Sequence, residues 1–123
     1  MKTKFYYKNI LIRTSDHDYK FALIIECENG GVYVKKCSAT YQGCEKEKNR
    51  ISKLYDCLLS AGISYDEWRA RQKKKYEFYQ AHNHLPDDNE FDREVNKIIR
   101  ANRIWSDQYC DRRLLKIVEL EAR

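Results

Sequence analysis

The hydrophobic period of the chain changes once, near residue 40, and this change constrains the fold more than any other feature. Up to about residue 37, apolar and polar residues alternate with period two, as in strands with one buried face. From about residue 40 onward, apolar residues recur three and four apart, as on one face of a helix. The sequence therefore predicts an α+β fold, with an N-terminal antiparallel β-meander of three or four strands followed by three helices.

Two turn signals divide the N-terminal segment. A tight turn at Lys8-Asn9 would split the aromatic and β-branched segment Lys4–Thr14 into a short hairpin. Asn29-Gly30-Gly31 is typical of a hairpin turn, because these residues accept the positive φ that such turns need. This second turn joins the alternating segment Tyr19–Cys27 to a further strand, Val32–Cys37.

Start and stop signals delimit the first two helices. The first helix is predicted to begin near Ser38 or Thr40 and to stop at Gly62, which suits the left-handed position after a helix. Ser64 and Glu67 then form a capping box, the usual signature of a helix start. The second helix is predicted from Tyr65 to about Ala81.

The last helix is predicted to be unusually long. Asp87 and Glu90 have the spacing of another capping box, and helical periodicity continues from Asp88 to about Glu121. An apolar stripe follows this segment, formed by Phe91, Val95, Ile98, Trp105 and Tyr109. Such a helix is roughly 50 Å long, whereas a compact domain of this size has a radius of gyration of roughly 14 Å. The sequence therefore predicts that the helix packs on a second copy, giving a homodimer or a higher oligomer.

Length and composition bound the remaining expectations. A chain of 123 residues suits a single domain over 1–123, with the sheet in 1–37 and the helices in 40–123. A net charge of +5 is compatible with an anionic partner without requiring one. The five cysteines form no C-x-x-C pair, and neither a signal peptide nor a long apolar run is visible. We therefore expect a cytoplasmic protein with reduced thiols and no membrane partner.

The second predicted helix carries a basic face among aromatic residues. The basic face consists of Arg69, Arg71, Lys73, Lys74 and Lys75. Trp68, Tyr76, Phe78 and Tyr79 lie between and beside these cations. Cations neutralise phosphates and aromatic rings stack on bases, so the pattern fits a nucleic-acid or nucleotide partner. The alternative is a solvated basic face over an aromatic stripe that faces the core; Phe78 lies off that stripe, which favours a binding role for it.

The candidate ligand-binding residues extend into the third helix. They are Phe78, Asn89, Phe91, Asp92, Arg100, Arg103, Trp105 and Arg113. These groups offer base stacking, ribose hydrogen bonds and phosphate contacts, and two crossing helices of an oligomer would bring them together in a pocket. The alternative is a dimer seam in which arginines and aspartates pair across the interface.

Two histidine-containing segments are candidates for catalytic or metal sites. His82-Asn83-His84 with Asp87 and Asp88 could hold a divalent metal. Nucleases of the HNH type place such histidines on a strand, whereas these fall between two predicted helices, which favours a polar connector. Asp16-His17-Asp18 is typical of a turn between strands. The sequence thus predicts no catalytic residue, no metal site and no cofactor, and a protein that is not an enzyme.

In composition and element order, the chain resembles small proteins of phages and mobile elements of low-GC bacteria. It is short and rich in Lys, Tyr, Ile, Asn and Glu, and the sheet segment YKFALIIECENGGVYVKKC precedes charged helices. Two kinds of phage anti-defence protein share this order: sponges that sequester a cyclic ADP-ribose-type signal in Thoeris evasion, and anti-CRISPR inhibitors that occlude a Cas protein. No residue role is taken from either kind.

The leading hypothesis is therefore a non-enzymatic anti-defence protein of the host cytoplasm that sequesters a charged, cyclic ADP-ribose-like nucleotide at a pocket between subunits. The first alternative is an anti-CRISPR-type inhibitor of a Cas protein or another nucleic-acid enzyme of a defence system. The second alternative is a small nucleic-acid-binding protein.

Overall fold

The computed structural model describes residues 2–123 and has an α+β fold, as predicted. Its strands are β1 (Thr3–Tyr7), β2 (Ile10–Ser15), β3 (Phe21–Glu26), β4 (Val32–Ser38), β5 (Leu115–Glu119) and β6 (Glu121–Ala122). Its helices are α1 (Tyr41–Ile51), α2 (Lys53–Ser60), α3 (Tyr65–His82) and α4 (Glu90–Ala101). The chain divides into two compact units: the segment up to Ile51 together with Asp111–Arg123, and Ser52–Cys110.

The first unit holds two antiparallel three-stranded sheets, ordered β2-β1-β6 and β4-β3-β5. Both predicted hairpin turns are present. Lys8 and Asn9 have φ of 46° and 62°, the signature of the tight turn between β1 and β2. Gly30, with φ of 84°, turns β3 into β4. The strands nevertheless do not form one meander, because β2 and β3 belong to different sheets.

The core of the first unit centres on β3. This strand pairs on both sides, with β4 and β5, and α1 packs against it. Ala22, Leu23 and Ile24 are consequently all fully buried, so both faces of the strand are covered. In the other sheet, the buried ring of Phe5 packs edge-on against Tyr19, with ring centroids 5.7 Å apart.

The second unit is a helical cluster built from α2, α3 and α4. Ser64 caps α3 as predicted, since its hydroxyl accepts a hydrogen bond from the Glu67 backbone N–H at 3.1 Å. Leu54 and Leu58 of α2 pack with Trp68 of α3 and Val95 of α4 in one buried cluster. Burial of each such side chain stabilises the fold by roughly 1.5 to 3 kcal/mol.

The first predicted helix is two helices, so the structure has four helices where three were predicted. The break falls at Ser52, which is fully buried with φ of −102° and ψ of 19°. The apolar periodicity continues across this residue, which is why the break gave no signal in the sequence.

The predicted long last helix is wrong, because α4 ends at Ala101. Arg103 takes a left-handed φ of 52°, and the backbone N–H of Ile104 donates to the carbonyl of Ile99 at 2.9 Å. This turn brings Ile104 back into the buried cluster of the second unit. Burial of Ile104 therefore decides where the helix stops, and α4 is roughly 18 Å long.

Residues after 101 are not helical apart from two short 3-10 turns, Ser106–Gln108 and Arg112–Leu114. The segment Leu115–Glu119, expected to be helical, pairs with β3 as an antiparallel strand. Its Leu115 and Val118 are buried and its Lys116 is exposed. The five residues Leu115–Glu119 suit a strand as well as a helix. Their pairing with the distant strand β3 therefore overrides the weak helical pattern.

The apolar stripe assigned to an oligomer seam is used inside the second unit. Val95 is buried there, and Phe91 and Ile98 pack against the same cluster. Trp105, by contrast, is 71% exposed. Since α4 is short and its stripe is covered within the chain, the length argument for assembly no longer applies, and self-association stays a prediction. Over residues 2–123, no helix has both the length and the apolar character required to cross a bilayer.

Candidate functional site

Six of the predicted site residues line one groove, which α3 and α4 form within the second unit. Its volume is about 240 Å³. The six residues are Arg71, Lys74, Lys75, Phe78, Asn89 and Asp92. Those from α3 are three or four positions apart and so share one side of the helix. The other two come from the start of α4, so the site combines residues of two helices.

Asn89 and Asp92 are held in place by the start of α4. The Asn89 side chain accepts a hydrogen bond from the Asp92 backbone N–H at 2.9 Å, and the Asp92 carboxylate accepts one from the Asn89 N–H at 3.4 Å. The predicted capping box of Asp87 and Glu90 is therefore wrong by two residues. Asn is as favourable as Asp at the N-cap position of a helix. With Asn89 as the N-cap, the Asp92 side chain is directed toward α3.

Lys75 joins α3 to α4 through two ion pairs. Its Nζ lies 3.0 Å from Oδ1 of Asp88 and 3.2 Å from Oδ2 of Asp92. Partial burial lowers the pKa of Lys75, but the hydrogen bonds to Asp88 and Asp92 outweigh this effect and raise the pKa above its ordinary value. Lys75 therefore stays charged at neutral pH and links α3 to the start of α4.

Arg71 and Phe91 form a second link between the helices. The guanidinium carbon of Arg71 lies 4.6 Å from the centre of the Phe91 ring, a cation–π contact worth about 0.5 to 1 kcal/mol at an exposed site. Arg71 also pairs with Glu67 at 3.3 Å. Phe91 contacts Arg71 and does not line the groove, so Phe78 is the aromatic residue that the groove offers to a ligand.

Phe78 is half-buried rather than isolated among lysines. Its ring centroid lies 4.3 Å from that of His82 and 5.4 Å from that of His84. The three rings form an aromatic cluster where α3 ends, and of the three only Phe78 lines the groove. In residues 2–123, no group of three or more His, Cys, Asp or Glu side chains could hold a metal ion.

The charges around the groove nearly balance. Arg71, Lys74 and Lys75 supply three positive charges, and Asp87 and Asp92 supply two negative ones. Lys75 and Arg71 already have carboxylate partners. Among the groove cations, Lys74 alone makes no ion pair within the described residues, so it is the cation best able to bind a ligand phosphate.

The other predicted ligand-binding residues lie outside this groove. Arg100 is in the last turn of α4, and its Nε donates to the Asn96 carbonyl at 3.4 Å. Arg103 and Trp105 follow the end of α4, where Trp105 is exposed. Arg113 belongs to the first unit and pairs with Asp111 at 2.9 Å. These residues lie away from the groove because α4 ends at Ala101 and does not continue through them.

A second groove runs along the neighbouring side of α3, and Lys75 lines both grooves. It measures about 530 Å³ and is lined by Gln72, Lys75, Tyr76, Tyr79 and Leu85. Tyr76 and Leu85 are each 64% exposed. The alternative interpretation of α3, an aromatic stripe that faces the core, does not hold for Tyr76 and Tyr79, because no residue of α3 after Trp68 is buried. Leu85 was not predicted as a site residue, and its position next to Pro86 gave no signal.

Comparison of the chain with protein-family models, with curated proteins and with solved structures finds no match.

Proposed function

We propose that the protein is a non-enzymatic binding protein that captures a charged nucleotide in the groove between α3 and α4. The observation that carries this proposal is the convergence of six predicted site residues on that one groove. Phe78 would stack on the base, Lys74 and Arg71 would hold phosphate, and the amide of Asn89 would bind a ribose hydroxyl. One chain supplies all of these groups, so the site does not require a second subunit.

The state of Lys75 argues against a role of this lysine as a base or a nucleophile. A lysine that acts as a base or nucleophile needs a lowered pKa, whereas that of Lys75 is raised.

The proposed biological role, sequestration of a cyclic ADP-ribose-like immune signal by a phage anti-defence protein, follows from the resemblance in composition and element order. Such a protein binds its nucleotide without converting it.

Titration calorimetry with ADP-ribose and cyclic ADP-ribose tests this proposal. We expect saturable binding by the wild-type protein. Lys74→Ala should weaken it roughly tenfold through loss of a charge-assisted contact, and Phe78→Ala should weaken it by about 1 to 3 kcal/mol through loss of stacking. Arg103→Ala is the matched control, because Arg103 does not line the groove, and it should leave affinity unchanged. Absence of binding by the wild-type protein would overturn the proposal.

The exposed Tyr76–Tyr79–Leu85 groove favours a second candidate function, inhibition of a defence-system protein. Exposed tyrosines are typical anchors of protein interfaces. Arg69 and Lys73 lie on the same side of α3 as Tyr76 and make no ion pair within residues 2–123, so an acidic protein surface would complement them.

A photo-crosslinking residue at position 76 tests this second function in host cells that carry the defence system. A discrete protein adduct is expected at position 76. The same residue at position 41, where Tyr41 is exposed on the first unit, should give none. A nucleic-acid adduct would favour direct nucleic-acid binding instead, and no adduct at position 76 would eliminate both.

A further inference from the structure

An exposed carboxylate lies in the groove between α3 and α4. Asp87 lines this groove together with Lys74, Phe78 and Asn89. Within residues 2–123 the Asp87 side chain takes part in no ion pair or hydrogen bond, so its oxygens are open to a ligand. An ionised carboxylate accepts hydrogen bonds and cannot donate them. Asp87 therefore favours a part of the ligand that carries hydrogen-bond donors and no negative charge.

The Asn89 side chain supplies a donor beside this acceptor. Its Oδ1 accepts the hydrogen bond from the Asp92 backbone N–H, which fixes the orientation of the amide. Its Nδ2 makes no hydrogen bond within the described part of the chain, so both of its N–H groups are available to a ligand. Asp87 and Asn89 are two residues apart, which limits the distance between their Cα atoms to about 7 Å.

A ribose with free 2′ and 3′ hydroxyls matches this pair of side chains. Each hydroxyl can donate one hydrogen bond and accept others, so neighbouring hydroxyls can donate to Asp87 while they accept from Asn89. Acidic side chains bind ribose hydroxyls in this way in dinucleotide-binding proteins. A 2′-phosphate has no comparable donor at neutral pH and carries negative charge, so the Asp87 carboxylate would repel it. A 2′-deoxyribose lacks the donor altogether.

We propose that Asp87 and Asn89 select nucleotides with a free ribose diol over nucleotides that are phosphorylated or deoxygenated at the 2′ position. Phe78, Lys74 and this pair line one groove, so a nucleotide can place its base, its phosphate and its ribose on them together. This selection rests on the proposed nucleotide capture and deepens it. It also adds Asp87, which the sequence analysis did not assign to the ligand site.

Three ligands that differ at one position test the selection by calorimetry on the full-length protein at constant salt. They are ADP-ribose and its two derivatives with a 2′-deoxy or a 2′-phosphorylated adenosine ribose. We expect the wild-type protein to bind ADP-ribose roughly tenfold more tightly than either derivative, the range of a hydrogen bond to a charged acceptor. Asp87→Asn replaces the carboxylate with a neutral amide of similar shape, so it should remove most of the preference over the 2′-phosphate.

Glu90→Gln is the matched control for the change of charge. Glu90 is an exposed residue in the first turn of α4 and does not line the groove, so its replacement should preserve the affinity ratios. An equal loss of preference in Asp87→Asn and Glu90→Gln would overturn the assignment to Asp87.

Failure of the selection and failure of the proposed function give different results. Equal affinities of the wild-type protein for the three ligands, or tighter binding of the 2′-phosphate, would overturn the selection and leave nucleotide capture intact. Absence of ADP-ribose binding would overturn nucleotide capture and the selection together. The three ligands are compared on the wild-type protein, so these outcomes do not depend on the stability of any variant.

Discussion

Replacing Lys75 with methionine should destabilise the second unit by about 2 to 3 kcal/mol. Methionine keeps the apolar stem of lysine but removes the ammonium that neutralises the buried carboxylate of Asp92. Removing one member of a buried ion pair costs about 3 to 5 kcal/mol, because the remaining charge has no partner.

Two features of the site reduce this cost. The Lys75 side chain is 20% exposed, so water can reach part of the vacated space. Asp92 also lies in the first turn of α4, where the helix dipole stabilises a negative charge by about 0.3 to 1 kcal/mol. These two effects lower the expected loss from the range of a fully buried pair to about 2 to 3 kcal/mol.

Urea unfolding followed by Trp68 fluorescence measures this loss, because Trp68 is buried in the second unit. Lys74→Met is the matched control: Lys74 is exposed and makes no ion pair, so its replacement should change stability by less than about 0.5 kcal/mol. Equal stability of the two variants at pH 7 would refute the importance of the Lys75–Asp92 pair.

Three further predictions concern Gly43, the five cysteines and Glu26. Gly43→Ala should destabilise the first unit by about 1 to 3 kcal/mol in thermal unfolding, because the added Cβ would collide with the Ser38 hydroxyl. The control is Gln42→Ala, at an exposed position of the same helix, which should leave stability unchanged. In pulse-labelling mass spectrometry, the thiols of Cys37 and Cys44 should alkylate more slowly than those of Cys27, Cys57 and Cys110. The reason is that burial raises the pKa of the Cys37 and Cys44 thiols. Equal labelling of all five cysteines would contradict the burial of these two. Hydrogen bonds from Lys8 and, to a smaller extent, from Lys116 lower the pKa of Glu26. The stabilisation from Glu26 is therefore present above its unfolded pKa and is lost as pH falls through the lowered folded value. In acid titrations Glu26→Gln should lose stability less steeply than the wild-type protein, and an unchanged slope would contradict this assignment.

Local signals in the sequence predicted the elements whose structure is decided locally. The hairpin turns at Lys8-Asn9 and Asn29-Gly30, and the cap at Ser64, depend on the conformational freedom or hydrogen bonding of the residues themselves. The α+β fold follows from the change of period near residue 40, and it is confirmed.

Elements decided by distant contacts were not predictable in this way. The end of α4 depends on the burial of Ile104 against residues of α2 and α3. The strand Leu115–Glu119 depends on pairing with β3, roughly ninety residues earlier in the chain. Neither contact leaves a periodic signal, so the helical pattern was extended through both.

The candidate site was predictable in part for the same reason. The side of α3 that carries Arg71, Lys74, Lys75 and Phe78 could be read from helical spacing. Whether Asn89 and Asp92 face this side of α3 depends on how α4 packs on α3, and helical spacing carries no information on that packing. Arg100, Arg103, Trp105 and Arg113 were assigned to the site only because the last helix was predicted to be continuous.

The most direct test of nucleotide capture is a map of amide chemical-shift changes on adding ADP-ribose to isotope-labelled protein. We expect saturable shifts concentrated in residues 71–78 of α3 and 86–92 before and within α4, with little change in β3. Shifts confined to residues 100–105, or none at millimolar nucleotide, an order-of-magnitude choice well above the range of specific sites, would contradict it.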